Sequence, residues 1–209
     1  VCSSDLENSL GLKYDRPALH MREYVSIIKS LADEGRVDFQ GDMYQVRTGF
    51  MVPDAQPFPV VISALAPLML KAAGEVADGT VTWMVGQKTV ETNTSPRIRK
   101  AAADAGRGEP RIIVGLPVCV HDDKEEATAR AVQIFQGYSQ TFNYRRQLDA
   151  EGLDQAGEIA VVGNEQEVTD QLKAYFSAGA TEVIASVYPA GASGRESFQR
   201  TNDLLASLL

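Results

Sequence analysis

In the first part of the chain, a helical spacing of hydrophobic positions is followed by a hairpin-like segment. Residues 17–33 show the spacing of an amphipathic helix, with Pro17 suited to its first turn and Gly35 to its end. Residues 37–46 (VDFQGDMYQV) then alternate like a hairpin that turns at Gly41 and Asp42. The predicted apolar stripe of the helix consists of Met21, Tyr24, Val25 and Ile28.

Further along, short apolar and β-branched runs alternate with helical patterns. Such runs are typical of strands that are buried on both faces of a parallel sheet. The pattern predicts strands at 60–64, 80–84, 112–116 (extending to Val120 despite Pro117) and 181–187. It predicts helices from Pro67 (with Met69, Ala72, Ala73 and Val76 on one face), over 88–106 with a break or start near Pro96, and at the C-terminus (with Phe198, Leu205 and Leu208).

Two further helices begin with capping signals. Asp122, with Glu125 three residues on, predicts an N-cap with a capping box, and Asn164 with Glu167 predicts the same. The inward stripes predicted for these helices are Ala127, Ala131, Ile134 and Phe135 in one, and Val168, Leu172, Tyr175 and Phe176 in the other. Between them, a helix over 138–151 and an extended piece at 159–162 are predicted as an insertion in the β/α alternation.

Four parallel strands leave two α/β architectures open. A complete open sheet of flavodoxin type would expose two strand edges. A (β/α)8 TIM barrel has no edges, and this chain would then be its C-terminal half, strands five to eight, with an insertion. We predict a single domain over residues 7–209. We interpret residues 1–6 (VCSSDL) as a non-native junction, with the natural protein beginning further upstream.

Charge and composition narrow the class of partner to small molecules. The formal net charge of -8 argues against nucleic acid, because a phosphate backbone requires a basic face. No apolar run is long enough to span a bilayer, and no signal peptide is apparent. Cys2 and Cys119 lack motif spacing, so we expect a reduced, cytoplasmic protein. With only two histidines, we expect no metal site.

Ligands of parallel α/β folds bind at the carboxyl ends of the strands, so the turns that follow the strands are the candidate sites. The first turn has small side chains and leads into Pro67, which leaves main-chain N–H groups free for an anion; a plain tight turn is the alternative. In the second turn, Trp83 could wall a planar cofactor, Gly86 admits a phosphate and Lys88 adds charge; ordinary barrel packing of Trp83 is the alternative. The predicted cofactor-binding residues are Ser63, Ala64, Leu65 and Ala66, with Trp83, Met84, Val85 and Gly86.

The third and fourth strand ends offer a histidine and a tyrosine. His121 could act as an acid or base, but the neighbouring Asp122 and Asp123 favour a helix cap or an exposed position. Tyr188 could line a pocket or donate a hydrogen bond to a substrate, or it could face solvent. There is no GxGxxG, Walker A or GxSxG motif, and no catalytic residue is assigned.

Three stretches resemble the luciferase-like monooxygenase family. YDRPALHMREYVSII (14–28) with the following hairpin is similar to the segment after the family's fourth strand. PVVISALAPLMLKAAGEVADGTVTWMVG (59–86) resembles its fifth and sixth βα units, most closely in the branch that uses the deazaflavin coenzyme F(420). VGNEQEVTDQLKAYFSAGATEVIASV (162–187) resembles the last crossover helix and eighth strand.

The resemblance implies a (β/α)8 barrel with the flat deazaflavin across its C-terminal mouth. It implies that the phosphate-bearing tail is held by the turns at 63–66 and 83–86. Some relatives have glycines where Leu65 and Ala66 stand, which puts the closeness of backbone approach in doubt. The residues that face the reactive ring come largely from the first four strands, so Tyr188 is the one substrate contact proposed within this chain.

The implied activity is that of an oxidoreductase that transfers a hydride between coenzyme F(420) and an unidentified small organic substrate. We expect the chain to be inactive by itself. An FMN-dependent luciferase-like monooxygenase is the close alternative. A second alternative is a non-catalytic half-barrel that associates with itself through its open edges. Whether the protein forms a homo-oligomer is left open. A third and weaker alternative is a barrel enzyme of the sugar-phosphate isomerase type, since only Lys88 and His121 lie near a strand end as possible catalytic residues.

Overall fold

The computed structural model describes residues 10, 11, 13, 15–50, 56–192 and 194–209. The chain divides into two compact units. The first contains the residues up to Thr80 together with Arg97–Pro110, and the second contains Val81–Pro96 and Arg111–Leu209. The interpretation of residues 1–6 falls outside the described residues, and the single domain over 7–209 stays a prediction.

The first unit opens with the predicted helix and hairpin, and both are confirmed. Helix α1 spans Pro17–Glu34, with proline in its first turn. It ends at Gly35, which adopts the left-handed conformation and donates its N–H to the carbonyl of Leu31. Strands β1 (Arg36–Gln40) and β2 (Gln45–Gly49) pair antiparallel.

The buried face of α1 differs from the predicted stripe. Tyr24 is 50% exposed, so its inward assignment is wrong, whereas Glu23 is only 6% exposed. Glu23 lies inward because its carboxylate accepts the main-chain N–H groups of Asp42, Met43 and Tyr44 at 2.9–3.0 Å in the hairpin turn. Burial raises the pKa of Glu23, but these three N–H groups and the nearby His20 outweigh burial and hold the pKa below its usual value.

The remaining strands and helices of the first unit follow the predicted β/α alternation. Strand β3 is Val61–Ser63 and helix α2 is Pro67–Val76. Strand β4, Gly79–Trp83, begins in this unit, where the Thr80 hydroxyl donates to the carbonyl of Ile62 at 2.9 Å. Between α2 and β4, the Asp78 carboxylate accepts from the side chains of Lys29 and Arg107 and from the N–H of Val60. The turn that precedes β4 is therefore held by ionic contacts.

Parallel strands form the sheet of the second unit. The end of β4 lies beside strand β5 (Arg111–Val120), which confirms the predicted extension to Val120. Strand β7 (Glu182–Val187) runs parallel to β5, from Ile113 opposite Glu182 to Val118 opposite Val187. The short strand β6 (Val161–Gly163) pairs in parallel with the last residues of β5. All of β5 except Arg111 is buried, as its continuous apolar run predicts.

The helical segment after β4 is interrupted where Pro96 predicts a break. It consists of α3 (Gln87–Thr89), a π-helical turn (Val90–Thr94) and α4 (Ser95–Asp104), with the boundary between the two units inside α4. Proline has no N–H to donate, so the regular ladder cannot continue through it. Just before Pro96 the helix takes a wider π-helical turn, in which the N–H of Ser95 donates to the carbonyl of Val90, five residues earlier.

Helix α5, Lys124–Phe135, begins one residue later than predicted. Its N-cap is Asp123, whose side chain accepts the N–H of Glu126 at 3.0 Å, so the capping box at Asp122 is wrong. Asp122 instead forms an ion pair with Arg200 at 2.9 Å. Ala127 and Ala131 are buried as predicted, but Ile134 is 40% exposed.

The insertion contains more breaks than predicted. A 3-10 helix (Gln136–Gln140) precedes helix α6 (Phe142–Glu151), and a second 3-10 helix (Ala156–Ile159) leads into β6. Helix α7 (Glu165–Ser177) has the predicted capping box of Asn164 and Glu167, and Phe176 is its one predicted inward residue that is exposed.

The C-terminal helix α8, Arg195–Ser207, buries a polar face. Ser197 and Thr201 are buried, whereas Phe198 and Leu208 are 47% and 46% exposed and Leu205 is half-buried. The Thr201 hydroxyl accepts the N–H of Val120 at 2.7 Å, which explains why a threonine lies inward. Among the helices that the structure describes, none is long and apolar enough to cross a membrane.

Candidate functional site

The first candidate turn, residues 63–66, lies in the first unit between β3 and α2. Ser63 is exposed, Ala64 is buried, and Leu65 and Ala66 are half-buried. Ala66 is the N-cap in an extended conformation, and among the described residues no side chain caps the helix. The turn therefore combines small side chains with a ten-residue helix whose first N–H groups have no side-chain cap, a combination that suits an anion.

The second candidate turn, residues 83–86, follows β4 in the second unit. Met84 adopts a left-handed conformation with φ of 50°, which is uncommon for a residue with a side chain, and its N–H donates to the carbonyl of Gly115 at 2.9 Å. Met84 and Val85 are buried, while Trp83 is half-buried. The backbone therefore turns sharply at the strand end and leads directly into α3 at Gly86.

Trp83 belongs to an aromatic cluster that the sequence did not reveal. Its ring packs edge-on against Phe135 and Tyr138, with centroids 6.0 and 6.3 Å away. A Cβ at Gly115 would lie 2.8 Å from the indole ring, so glycine at that position of β5 makes room for Trp83. The indole Nε1 is buried without a hydrogen-bond partner among the described residues. These contacts support the packing alternative for Trp83 and leave one unused donor.

Tyr188 meets the same cluster from the end of β7. Its ring lies 6.1 Å from that of Phe135, so Phe135 joins two residues predicted for the site, Trp83 and Tyr188. Tyr188 is only 4% exposed, and its hydroxyl donates to the carbonyl of Ala127 at 3.0 Å. Burial, with a smaller contribution from Cys119, raises the pKa of Tyr188. In this conformation the hydroxyl is committed to α5, and the predicted substrate contact stays a prediction.

His121 and Lys88 take positions that favour the plainer alternatives. His121 Nδ1 accepts the N–H of Asp123 at 3.1 Å, and its Nε2 lies 3.7 Å from a carboxylate oxygen of Glu126. His121 therefore braces the start of α5, close to the cap position that the sequence favours. Lys88 is exposed on α3.

Glu151, at the end of α6, contacts the second turn. A Cβ at Gly86 would overlap the Glu151 carboxyl group, and Glu151 Oε1 accepts the N–H of Thr89 at 2.6 Å. The sequence predicts a helix that ends at residue 151 but carries no signal that this end folds back onto the turn after β4, since the two are 62 residues apart.

The chain matches the model of a known family. The family model for luciferase-like monooxygenases matches residues 3–182, and the chain belongs to this family.

Its relatives include reductases and dehydrogenases. The chain is 28% identical to the 5,10-methylenetetrahydromethanopterin reductase of Methanopyrus kandleri over 88% of its own length and 60% of that protein. It is 27% identical to the same reductase of Methanolobus tindarius over 75% of its own length and 48% of that protein. Over 90 residues (42% of the chain and 26% of the relative) it is 36% identical to the F(420)-dependent glucose-6-phosphate dehydrogenase of Mycobacterium tuberculosis. The chain thus spans about half to three fifths of the length of the reductases.

Solved structures share its fold. The coenzyme F(420)-dependent tetrahydromethanopterin reductase of Methanopyrus kandleri superposes with a TM-score of 0.69 at 20% identity, over 92% of this chain and 68% of that one. An F(420)-dependent secondary alcohol dehydrogenase, solved in complex with an F(420)-acetone adduct, gives 0.70 at 19% identity, over 95% and 66%. The α/β fold with parallel strands is therefore that of the luciferase-like barrels.

Proposed function

We propose that this chain is part of an oxidoreductase that transfers a hydride between coenzyme F(420) and a small organic substrate. The observation that carries the proposal is the match to a methylenetetrahydromethanopterin reductase over 88% of the chain, since the solved reductase of that organism is described as F(420)-dependent. The F(420)-dependent dehydrogenase of Mycobacterium tuberculosis matches as well. When bound, the deazaflavin accepts or donates the hydride, and the protein supplies orientation and electrostatics.

The residues of the first turn fit a phosphate-bearing tail. Ala64, Leu65 and Ala66 carry no charge, and the start of α2 has no side-chain cap that would compete for its N–H groups. Ser63 adds an exposed hydroxyl. We propose that these four residues hold the tail at the first turn, and we propose a cofactor-binding role for Trp83, Met84, Val85 and Gly86 at the second turn. At the second turn, the room for a phosphate depends on the position of Glu151, whose carboxyl group lies against Gly86.

We further propose that β3, β4, β5 and β7 are strands five to eight of a (β/α)8 barrel whose first four strands lie outside this chain. Strand β7 supports this proposal. Within the described residues it pairs only with β5, and Ile184 in its middle is 51% exposed. An apolar strand with an open edge normally has a partner on both sides in a closed barrel. On this proposal the chain alone is inactive.

Titration of the full-length protein with coenzyme F(420) and, separately, with FMN tests the cofactor. We expect tight, saturable binding of F(420) and hydride transfer with a suitable substrate, and weak binding of FMN. The present 209-residue chain, measured in parallel, should show no turnover. Selective tight binding of FMN would overturn the F(420) proposal in favour of a monooxygenase of the same family. Turnover by the chain alone would overturn the half-barrel.

A further inference from the structure

The N-terminal end of α3 already holds a carboxylate. Glu151 Oε1 accepts the N–H of Thr89 at 2.6 Å, and the space where Gly86 lacks a side chain is filled by the Glu151 carboxyl group. A glycine at such a position usually lets a ligand or another chain segment approach the backbone closely. Here the segment that approaches is the last residue of α6.

Two buried polar side chains lie near this half-buried carboxylate. Thr89 is only 3% exposed, and its hydroxyl has no hydrogen-bond partner among the described residues. Tyr175, which is 6% exposed, lies nearby. Burial and the negative charge of Glu151 both raise the pKa of Tyr175. Beside the Thr89 N–H that binds the carboxylate there is thus a buried hydroxyl without a partner among the described residues, with a buried phenol nearby; neutral donors of this kind would also serve a phosphate oxygen.

Helix α6, which carries Glu151, is weakly anchored. Of its ten residues only Leu148 is buried, and Phe142 at its start is 74% exposed. Its C-terminus ends in a left-handed Gly152, and Arg145 binds the carbonyls of Leu153 and Asp154 beyond it. Elements with so little buried surface open more readily than buried strands do.

We infer that Glu151 is an internal occupant of the phosphate position at the second turn, and that the end of α6 must leave before a phosphate-bearing cofactor can use this turn. The inference rests on the proposed function. Two anions cannot share the Thr89 N–H, so each excludes the other. The apparent cofactor affinity is then the intrinsic affinity multiplied by the fraction of molecules in which Glu151 has left the turn.

The test compares two deazaflavins on the full-length protein and its variants: coenzyme F(420), and the same ring and sugar alcohol without the phosphate. In Glu151→Gln we expect F(420) to bind about tenfold more tightly or better, because a neutral amide accepts more weakly than a carboxylate. Binding of the phosphate-free compound should not change. Glu91→Gln is the matched control, since it removes one exposed charge from the adjoining π-helical turn and should leave both affinities unchanged.

Equal or weaker binding of F(420) by Glu151→Gln would overturn the inference while leaving the proposed function intact. So would an equal gain for the phosphate-free compound. If neither the wild type nor the variant binds either deazaflavin, the proposed function fails and the inference with it. Hydrogen exchange on the wild type gives a readout that needs no variant. Saturating F(420) should speed exchange at the end of α6 and keep the Thr89 amide protected; unchanged exchange in α6 counts against displacement.

Discussion

The carboxylate of Glu23 shows how one side chain joins two elements. It extends from α1 into the hairpin turn, where three consecutive main-chain N–H groups donate to it. A turn between short strands has few partners of its own for these donors, and a buried N–H without an acceptor is costly. The apolar spacing of α1 gave no indication of this contact, because a glutamate counts as a surface residue in such a pattern.

We predict that Glu23→Gln lowers the free energy of unfolding at neutral pH and makes that free energy depend less on pH in the acid range. The pKa of Glu23 is held below its ordinary value of 4.5, so its contribution is present above that value and is lost as pH falls through the lowered pKa. Urea unfolding at several pH values from neutral downward measures the free energy of unfolding. The wild type should lose more of it on acidification than the variant.

Asp33→Asn provides the matched control, because Asp33 is an exposed carboxylate on the same helix. It should track the wild type at each pH. If Glu23→Gln and Asp33→Asn give parallel curves, the hydrogen bonds to the hairpin turn contribute nothing that depends on charge.

Among the elements, the helix starts show what a local pattern can and cannot predict. The box of Asn164 and Glu167 follows from sequence alone, because no other Asn, Asp, Ser or Thr lies beside Asn164 to compete for the cap. At α5 two aspartates each have a glutamate three residues on, and the local pattern cannot choose between them. The choice depends on Arg200, 78 residues after Asp122, which takes Asp122 as its ion-pair partner. Only Asp123 is then left to cap the helix.

The cap assignment at α5 predicts unequal effects for two neighbouring substitutions. Asp123→Ala should lower the free energy of unfolding by about 1 kcal/mol, the usual cost of removing an N-cap side chain. Asp122→Ala removes an exposed ion pair with Arg200 and should cost less. Urea denaturation of the two variants at neutral pH makes the comparison. Equal losses, or a larger loss for Asp122→Ala, would mean that the helix begins at Asp122 in solution.

At the scale of the molecule, the alternation of strands and helices was predictable, but the exposure of several faces was not. The apolar residues of α8 gave no indication that the carboxyl end of β5 takes its hydrogen-bond partner from Thr201 of that helix. The contact between Glu151 and the second turn likewise depends on tertiary packing. Continuous apolar runs predict that a strand is buried, but they do not reveal whether the burying neighbour lies within the same chain. Strand β7, in which Ile184 is 51% exposed, raises this question.

The open edge of β7 leads to a prediction about assembly. If the other half of a barrel normally covers this edge, the 209-residue chain studied alone should pair through it, since an unpaired strand is a template for another. Ile184→Lys places a charge in the middle of that edge and should shift the chain toward monomer in light-scattering measurements, with its far-UV circular dichroism unchanged. Phe198→Lys adds the same charge at a comparably exposed position on α8 and should leave the association as it is. A wild-type chain that is already a stable monomer would remove the support that Ile184 lends to the half-barrel, because its exposed edge would then need no partner.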